Sequence, residues 1–250
     1  MRVTRRQIPF LLVFGIIAYA LTPFLYFVTI SYLPIGIGTL LAFLAPVYVA
    51  LWLRFVRRAP VRRSLWLAIG LVIVGLFLVA QVWAGVTLSP IGLIVGVFLG
   101  ISLAAYLLLG EEGARRRDVV SLAFWGFAIA TLTWSVLAPW WDFPWSVMGS
   151  TTTLVNGNLT GVPVWSLVVA MVILSVTPFL LVLFSLQRIG AQRGGIIGTT
   201  EPVWATLLAF VILGEVIAPI QAVGGLVVLA GVIIAELASR RTQRAGAPTR

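Results

Sequence analysis

Eight apolar stretches of about 20 residues, separated mostly by short connectors, make up most of this chain. A bilayer core about 30 Å thick is crossed by roughly 20 apolar residues in an α-helix, so each stretch has the length of one span. The pattern predicts an all-α polytopic membrane protein. The predicted spans are residues 8–29, 36–55, 65–83, 91–110, 119–140, 164–185, 195–213 and 219–238.

The positions of the arginines support this count of spans. All 17 basic residues are Arg, and every second connector holds none. Connectors on the cytoplasmic side of a membrane are rich in Arg and Lys, so this alternation predicts eight helices with both termini cytoplasmic. The predicted cytoplasmic segments are residues 1–7, 54–64, 111–118, 186–194 and the basic tail 239–250.

Composition excludes several classes of protein. The chain is 61% hydrophobic, and the confinement of Arg to one side explains its net charge of +10 without a nucleic-acid partner. It contains no Cys and no His, so the usual thiolate nucleophile, metal ligands and general base are missing. No convergent acid–base group and no nucleotide motif is visible. The sequence therefore predicts neither an enzyme nor a bound cofactor or metal, and it favours a gradient or exchange as an energy source.

An internal repeat links the two ends of the chain. Pro46 and Gly75 are 29 residues apart, as are Pro202 and Gly231, and matched prolines and glycines rarely arise from shared hydrophobicity alone. The repeat therefore predicts a duplication. The matching stretches are "TPFLYF" at Thr22 with "TPFLLV" at Thr177, "APVYVALWL" at Ala45 with "EPVWATLLA" at Glu201, and "GLVIVGLFLVA" at Gly70 with "LVVLAGVIIAE" at Leu226.

The predicted topology makes these repeats inverted. The first predicted helix and its counterpart, the sixth, are five helices apart, so they cross the membrane in opposite directions. Inverted repeats are typical of secondary transporters, because each half can adopt the conformation of the other and so produce inward-open and outward-open states. The sequence thus predicts an inverted-repeat helical bundle that works by alternating access.

The same stretches resemble a known family. "EPVWATLLAFVILGE" and "QAVGGLVVLAGVIIA", with the weaker copy "YLPIGIGTLLAFLAPVYVALWLRFV", are similar to the drug/metabolite transporter superfamily and in particular to its EamA-like transporters. The resemblance implies export of amino acids, other metabolites or drugs across the inner membrane of a prokaryote, with lipid and a small molecule as partners. Members typically have ten helices in two inverted halves of five. Glu201-Pro202 and Gly214-Glu215 match the family pattern.

The first half departs from that pattern. Residues 1–83 form a shortened first repeat of three predicted helices, and residues 84–250 form a second repeat of five. The first two of the usual ten helices have no counterpart, so either the start codon is assigned too late or the protein is a short member. Without these two helices the central cavity lacks one wall, and a homodimer would supply it. The alternative function is a non-transporting membrane accessory subunit, completed by a partner.

Glu201 is the main candidate for substrate binding or proton coupling. It lies about 9 Å from the inner end of its predicted helix, at 1.5 Å per residue. A carboxylate at the bilayer centre costs roughly 2.5 to 3.5 kcal/mol, and such groups usually face a bundle interior or a water-filled path. The other interpretation is structural: Pro202 interrupts the helix, Thr199 or Thr200 satisfies the freed backbone groups, and Glu201 stabilises the new helix start.

Further candidates follow from polar, aromatic and small residues within the spans. Tyr48 and Trp204 each lie two residues after a repeat proline, so they are expected to face one cavity from opposite walls. Other candidate cavity residues are Tyr26, Tyr106 and Thr177. The prolines expected to kink their helices are Pro23, Pro46, Pro178 and Pro202. A stripe of Gly92, Gly96 and Gly100 predicts close helix packing.

Overall fold

The computed structural model describes residues 4–33, 35–58, 63–80, 89–138, 140–154, 159–208, 211 and 218–245. This described part of the chain is mostly helical. Its helices are α1 (Arg5–Tyr32), α2 (Ile35–Ala42), α3 (Ala45–Phe55), α4 (Arg63–Ala80), α5 (Pro90–Arg116), α6 (Val119–Leu137), α7 (Val164–Gly198), α8 (Glu201–Leu208) and α9 (Pro219–Ala245).

Several of these helices are long and apolar enough to cross a bilayer. Within the described ranges, five helical stretches qualify by length and composition: Arg5–Tyr32, Ile37–Phe55, Pro90–Arg116, Val119–Leu137 and Val164–Gly198. The second of these runs through α2 and α3 and includes the turn between them. The shorter apolar helices Arg63–Leu78 and Ala222–Ile234 lie within two further predicted spans. The predicted span 195–213 is divided between the end of α7 and α8, and part of it, with Gly214-Glu215, lies outside the described residues. The helices agree with a polytopic membrane protein, and the count of eight stays a prediction.

The region 186–194, predicted as a connector, is instead part of α7. The backbone of α7 stays helical to Gly198 except at Gly190, where φ is 80° and ψ is 166°. Glycine adopts positive φ without the steric cost that a Cβ imposes. We call this interruption the Gly190 elbow. The length of an apolar stretch reflects the thickness of the bilayer and does not set where the helix ends. Gln and Arg are good helix formers, so the polar residues here continue the helix.

Helix α1 changes its hydrogen-bond pattern halfway along. Gly15–Leu21 is a π-helical stretch, in which the N–H of Thr22 donates to the carbonyl of Ile17, five residues earlier. The hydroxyl of Thr22 donates to the same carbonyl at 2.7 Å. Pro23 follows immediately, in the first turn of the α-helical remainder of α1. The irregularity near Pro23 is therefore a widened turn that precedes the proline.

The long predicted connector between α6 and α7 contains local structure. Two short 3-10 helices, Trp140–Asp142 and Trp145–Gly149, lead into an antiparallel hairpin of β1 (Thr151–Leu154) and β2 (Leu159–Pro163). Trp140 and Trp145 are exposed, as side chains at the boundary between membrane and water commonly are. The connector is therefore partly ordered by its own backbone hydrogen bonds.

Among the described residues, the cluster with the most buried side chains lies between α1, α3, α5, α6 and α7. Its fully buried members include Phe14, Leu122, Leu183 and Leu186. Helices α4 and α9 pack against each other through a small cluster of Val72, Leu76 and Val228. A further small cluster joins α4 to Ala50 of α3 and Ile196 of α7. The core of the first group therefore joins helices from both halves of the chain.

Contacts between predicted cytoplasmic segments bring these segments to one end of the bundle. The guanidinium group of Arg117 donates to Gln7 Oε1 at 3.1 Å, and Gln187 Nε2 donates to the carbonyl of Ala114 at 2.8 Å. Arg57 pairs with Glu112 across 3.9 Å. We call this the Arg-rich end. Helix α1 begins there and α7 approaches its elbow there, so the two helices run in opposite directions.

Candidate functional site

Two helix breaks occupy equivalent positions of the repeat. Helices α2 and α3 are separated by a turn at residues 43–44, and α7 and α8 by a turn at residues 199–200. The carbonyl of Leu44 accepts from the N–H groups of Val47 (2.9 Å) and Tyr48 (3.3 Å). At the second break, 156 residues later, the carbonyl of Thr200 accepts from the corresponding residues, Val203 (3.0 Å) and Trp204 (3.2 Å). The breaks thus share one hydrogen-bond pattern.

Each break places a proline in the first turn of the helix that follows. Pro46 is buried at the start of α3, and Pro202 is the second residue of α8. A proline is tolerated at this point because the first N–H groups of a helix have no partner within it. A Cβ at Gly195 would lie 3.5 Å from Pro46 Cγ, so the first break packs against the short segment of α7 that leads to the second.

Threonine hydroxyls bond to backbone carbonyls at the second break. Thr199 is fully buried and donates to the carbonyl of Ile196 at 2.5 Å, and Thr200 donates to that of Ile197 at 2.8 Å. Glu201 begins α8 and its side chain is exposed. A carboxylate in the first helical turn interacts favourably with the helix dipole. The geometry is compatible with both roles considered for Glu201, since the side chain is accessible and also lies at a helix start.

The equivalent aromatics Tyr48 and Trp204 lie in different surroundings. Tyr48 is half-buried, and a Cβ added to Gly100 would lie 2.9 Å from its Cε2 atom. Trp204 is 57% exposed. The expectation that they face one cavity from opposite walls therefore stays a prediction.

Tyr106 belongs to an aromatic cluster, which we define as the buried Phe14, Tyr19 and Tyr106 and the half-buried Phe127 and Phe179. The ring of Tyr19 lies 4.4 Å from that of Phe127 and 5.0 Å from that of Phe179, between ring centroids. Tyr106 lies 5.9 Å from Phe179 and 6.2 Å from Tyr19. Offset and edge-on arrangements at such distances are favourable. The cluster joins α1, α5, α6 and α7, and no sequence pattern singled out its three phenylalanines.

Hydroxyl groups line the contact between α1 and α5 beside this cluster. The hydroxyls of Thr22 and Ser102 are hydrogen-bonded at 2.7 Å, and both side chains are buried. One turn away on each helix, Tyr19 (6% exposed) and Tyr106 (4% exposed) carry buried hydroxyls with no hydrogen-bond partner among the described residues. Buried polar groups in proteins are nearly always hydrogen-bonded, so this pair is suited to bind a water molecule or a polar group of a ligand.

The other predicted residues are dispersed. Tyr26 is half-buried, with its ring 6.0 Å from that of Phe27, and Thr177 is exposed on α7. The backbone around Pro178 keeps helical dihedral angles, so this proline does not break α7. Among the described residues, no group of three or more His, Cys, Asp or Glu side chains is placed to hold a metal ion.

The glycine stripe of α5 lies against the end of α1 and against α2. A Cβ added to Gly92 would lie 2.6 Å from Leu33 Cγ, and one added to Gly100 would lie 2.7 Å from the carbonyl oxygen of Leu41. Gly96 contacts Leu41 as well. The absence of side chains on this stripe therefore allows α5 to approach α2 and the break that follows it.

Helices α4 and α9 make a reciprocal contact. A Cβ added to Gly75 would lie 2.7 Å from both the carbonyl oxygen of Gly224 and the amide nitrogen of Val228. A Cβ added to Gly231 would lie 2.9 Å from the carbonyl oxygen of Ala68 and 3.2 Å from the amide nitrogen of Val72. Gly231, Gly224 and Val228 follow Gly75, Ala68 and Val72 by 156 residues each. The two helices thus contact each other through equivalent residues, as at a twofold axis.

The chain is similar in sequence to a family of transporters and to transporters of two other organisms. The sequence profile of the EamA-like transporter family matches residues 2–81 and 90–237. A protein of Archaeoglobus fulgidus described as an uncharacterized transporter is 28% identical over 211 residues, which are 84% of this chain and 70% of the relative. An uncharacterized transporter of Synechocystis is 30% identical over 206 residues, which are 80% of this chain and 58% of the relative.

A similar fold is found among solved structures. A crystal structure of a protein with 19% identity superimposes with a TM-score of 0.71 over 95% of this chain and 79% of the other chain. This similarity concerns the fold alone. The family profile covers most of the sequence, both halves included, and the chain therefore belongs to the EamA-like transporter family.

Proposed function

We propose that the protein is a secondary transporter that exports small organic metabolites, such as amino acids or drug-like compounds, by alternating access. The paired breaks at residues 43–44 and 199–200 are the observation that carries this proposal. Broken helices near the middle of a membrane protein leave backbone groups for a substrate or a coupling ion. The hydrogen-bond pattern that the two breaks share supports the proposal that each half can adopt the conformation of the other.

Two inverted repeats, 1–83 and 84–250, are the proposed basis of this mechanism. The opposite directions of α1 and α7 and the reciprocal contact of Gly75 and Gly231 support it. A pseudo-twofold axis between α4 and α9 relates equivalent residues of the two halves. The eight-helix topology with both termini in the cytoplasm is part of the same proposal.

Topology can be tested with single cysteines, because the chain has none of its own. In inner-membrane vesicles, Gln7→Cys and Arg188→Cys are expected to react with a membrane-impermeant maleimide from the cytoplasmic side, since both residues lie at the Arg-rich end. Tyr32→Cys and Trp165→Cys are expected to react from the opposite side. Labelling of Gln7→Cys and Trp165→Cys from one side would show parallel halves and exclude inverted repeats.

The proposed substrate contacts are the hydroxyls of Tyr19 and Tyr106 and the surrounding aromatic rings. These hydroxyls are buried and unpaired among the described residues, and the adjacent rings offer a largely apolar surface. Sites for small molecules commonly combine an apolar lining with a few placed polar groups. Glu201, exposed at the start of α8, is proposed to couple transport to proton movement.

A double substitution of the two tyrosines tests this site. Tyr19→Phe/Tyr106→Phe is expected to leave the free energy of unfolding unchanged or to raise it by about 1–3 kcal/mol, because it removes two buried hydroxyls that have no partner among the described residues. A thermal-shift screen of amino acids and related metabolites first identifies a ligand for the wild type. The double variant should then lose most of the ligand-induced rise in Tm.

A matched control separates this effect from a general loss of phenolic groups. Tyr32 lies at the far end of α1 and is 49% exposed, so Tyr32→Phe should keep the ligand-induced rise in Tm. An unchanged rise in the double variant would place the substrate elsewhere. A lower Tm for the ligand-free double variant would indicate that the hydroxyls are structural.

One observation also favours a dimer or an accessory role. Only 6% of the most apolar part of α7 is buried, against 39–44% in the other four candidate spans. An apolar segment with so little protein contact faces lipid or a second chain, and we propose that a second copy of this chain covers it. Light scattering of the detergent-solubilised protein measures its mass: a dimer supports this assignment and a monomer contradicts it.

A further inference from the structure

Glu111, near the end of α5, is a largely buried carboxylate that the proposed transport mechanism does not use. Its side chain is 14% exposed, and Oε2 accepts a hydrogen bond from the backbone N–H of Ala191 at 2.8 Å. Ala191 is the first residue after the Gly190 elbow, so its N–H is among those that the following helical segment leaves without a partner. Glu111 therefore caps this segment from a different helix.

A second hydrogen bond fixes the other side of the elbow. Gln187 Nε2 donates to the carbonyl of Ala114, three residues beyond Glu111 on α5. Gly190 itself approaches the carboxylate so closely that an added Cβ would lie 3.4 Å from Glu111 Oε1. The elbow is thus held against α5 by one bond before Gly190 and one bond after it.

The neighbouring carboxylate, Glu112, provides a natural comparison. Both residues form ion pairs with an Arg four positions later: Glu111 pairs with Arg115 at 2.6 Å, and Glu112 with Arg116. Glu112 also pairs with Arg57. The two residues have similar charge partners on α5, and Glu111 differs by its hydrogen bond to the backbone of α7.

We infer that Glu111 is a latch that keeps the Arg-rich end of the transporter closed. Opening this end moves the elbow away from α5, and this movement breaks the hydrogen bond to Glu111 and leaves the N–H of Ala191 without its acceptor. Gly190 supplies the backbone position about which α7 bends, because its conformation places no Cβ in the way. Glu111 is a positioning residue: it acts on the equilibrium between conformations and not on the substrate. This inference rests on the alternating access proposed above.

Distances between spin labels at the two ends of α1 and α7 measure the equilibrium without any substrate. One pair of labels, at Ile8→Cys and Arg188→Cys, reports the Arg-rich end, and a second pair, at Tyr32→Cys and Trp165→Cys, reports the opposite end. These four residues are exposed. In Glu111→Ala, pulsed EPR on liposomes should show a longer distance for the first pair and a shorter one for the second. The open-to-closed ratio is expected to rise about tenfold, which corresponds to about 1.4 kcal/mol.

Two substitutions act as controls. Glu112→Ala should leave both distance distributions unchanged. Glu111→Gln keeps an oxygen that accepts from Ala191 but loses the charge that pairs with Arg115, so it should remain close to wild type. A shift in Glu111→Gln as large as in Glu111→Ala would assign the effect to the ion pair and overturn the capping role.

Three further results would overturn the latch. These are unchanged distances in Glu111→Ala, an equal shift in Glu112→Ala, and longer distances at both ends, since lengthening at both ends indicates general loosening. A protein that transports nothing can still show opposite shifts at its two ends, so failure of the proposed function and failure of the latch give different results.

Discussion

Replacing Glu201 with glutamine is expected to abolish substrate flux in reconstituted vesicles while the protein stays folded. Glutamine matches glutamate in size and cannot exchange a proton, and the exposed position of the side chain means that packing is preserved. Flux of a ligand identified by thermal shift should fall to the level of protein-free vesicles. Monodisperse elution and an unchanged Tm establish that the variant is folded.

The same substitution distinguishes the two roles of Glu201. A purely structural carboxylate at the start of α8 contributes about 0.3–1 kcal/mol through the helix dipole, so its loss would lower Tm slightly and leave flux intact. Asp142→Asn serves as the control, since this residue is an exposed acid in the connector between α6 and α7. Normal flux in Glu201→Gln would remove the residue from the coupling mechanism.

Adding a methyl group at Gly75 or at Gly231 is expected to destabilise the protein strongly, and by similar amounts. Each new Cβ would lie within 3 Å of backbone atoms of the facing helix, which cannot move as a side chain can. Overpacking of this kind typically costs about 1–3 kcal/mol. Thermal unfolding in detergent, followed by tryptophan fluorescence, should show a lower Tm for Gly75→Ala and for Gly231→Ala.

Gly70 gives a matched control on the same helix as Gly75. A Cβ added to Gly70 meets no atom within 4 Å, so Gly70→Ala should keep or raise Tm, because alanine favours a helix by up to about 1 kcal/mol over glycine. A large decrease in Tm for Gly75→Ala with none for Gly231→Ala would mean that the two equivalent contacts do not contribute equally to stability. In that case the reciprocal geometry would no longer support a twofold arrangement of the halves.

The helical regions were predictable because bilayer thickness sets the length of each apolar stretch. The repeat also directed attention to Pro46 and Pro202, and both prolines lie just after a helix break. The sequence analysis expected each proline to kink its helix, and it considered a break with a new helix start at Pro202 alone. The structure instead has two-residue turns ahead of the prolines, because a proline fits the first turn of a new helix better than the interior of an old one.

Other features could not be predicted because they depend on contacts between distant parts of the chain. In the sequence, Glu111 belongs to a charged run whose partners are four residues away, whereas its bond to Ala191 links residues 80 positions apart. The hydrogen bond between Thr22 and Ser102 spans the same separation. The helical course of residues 186–189 and 191–194 was likewise not predicted, because the polar residues there were assigned to a connector.

The π-helical stretch Gly15–Leu21 means that α1 carries one residue more than an α-helix of the same rise would need. If that surplus residue were absorbed into regular α-helical turns, everything beyond Thr22 would rotate by about 100° and advance by about 1.5 Å along the axis. Tyr26 and the buried Thr29 would then point toward different neighbours, while Leu11 and Phe14, which precede the stretch, would stay in place. Such a helix can rotate and advance one of its segments relative to the other by a change in its own backbone hydrogen bonds.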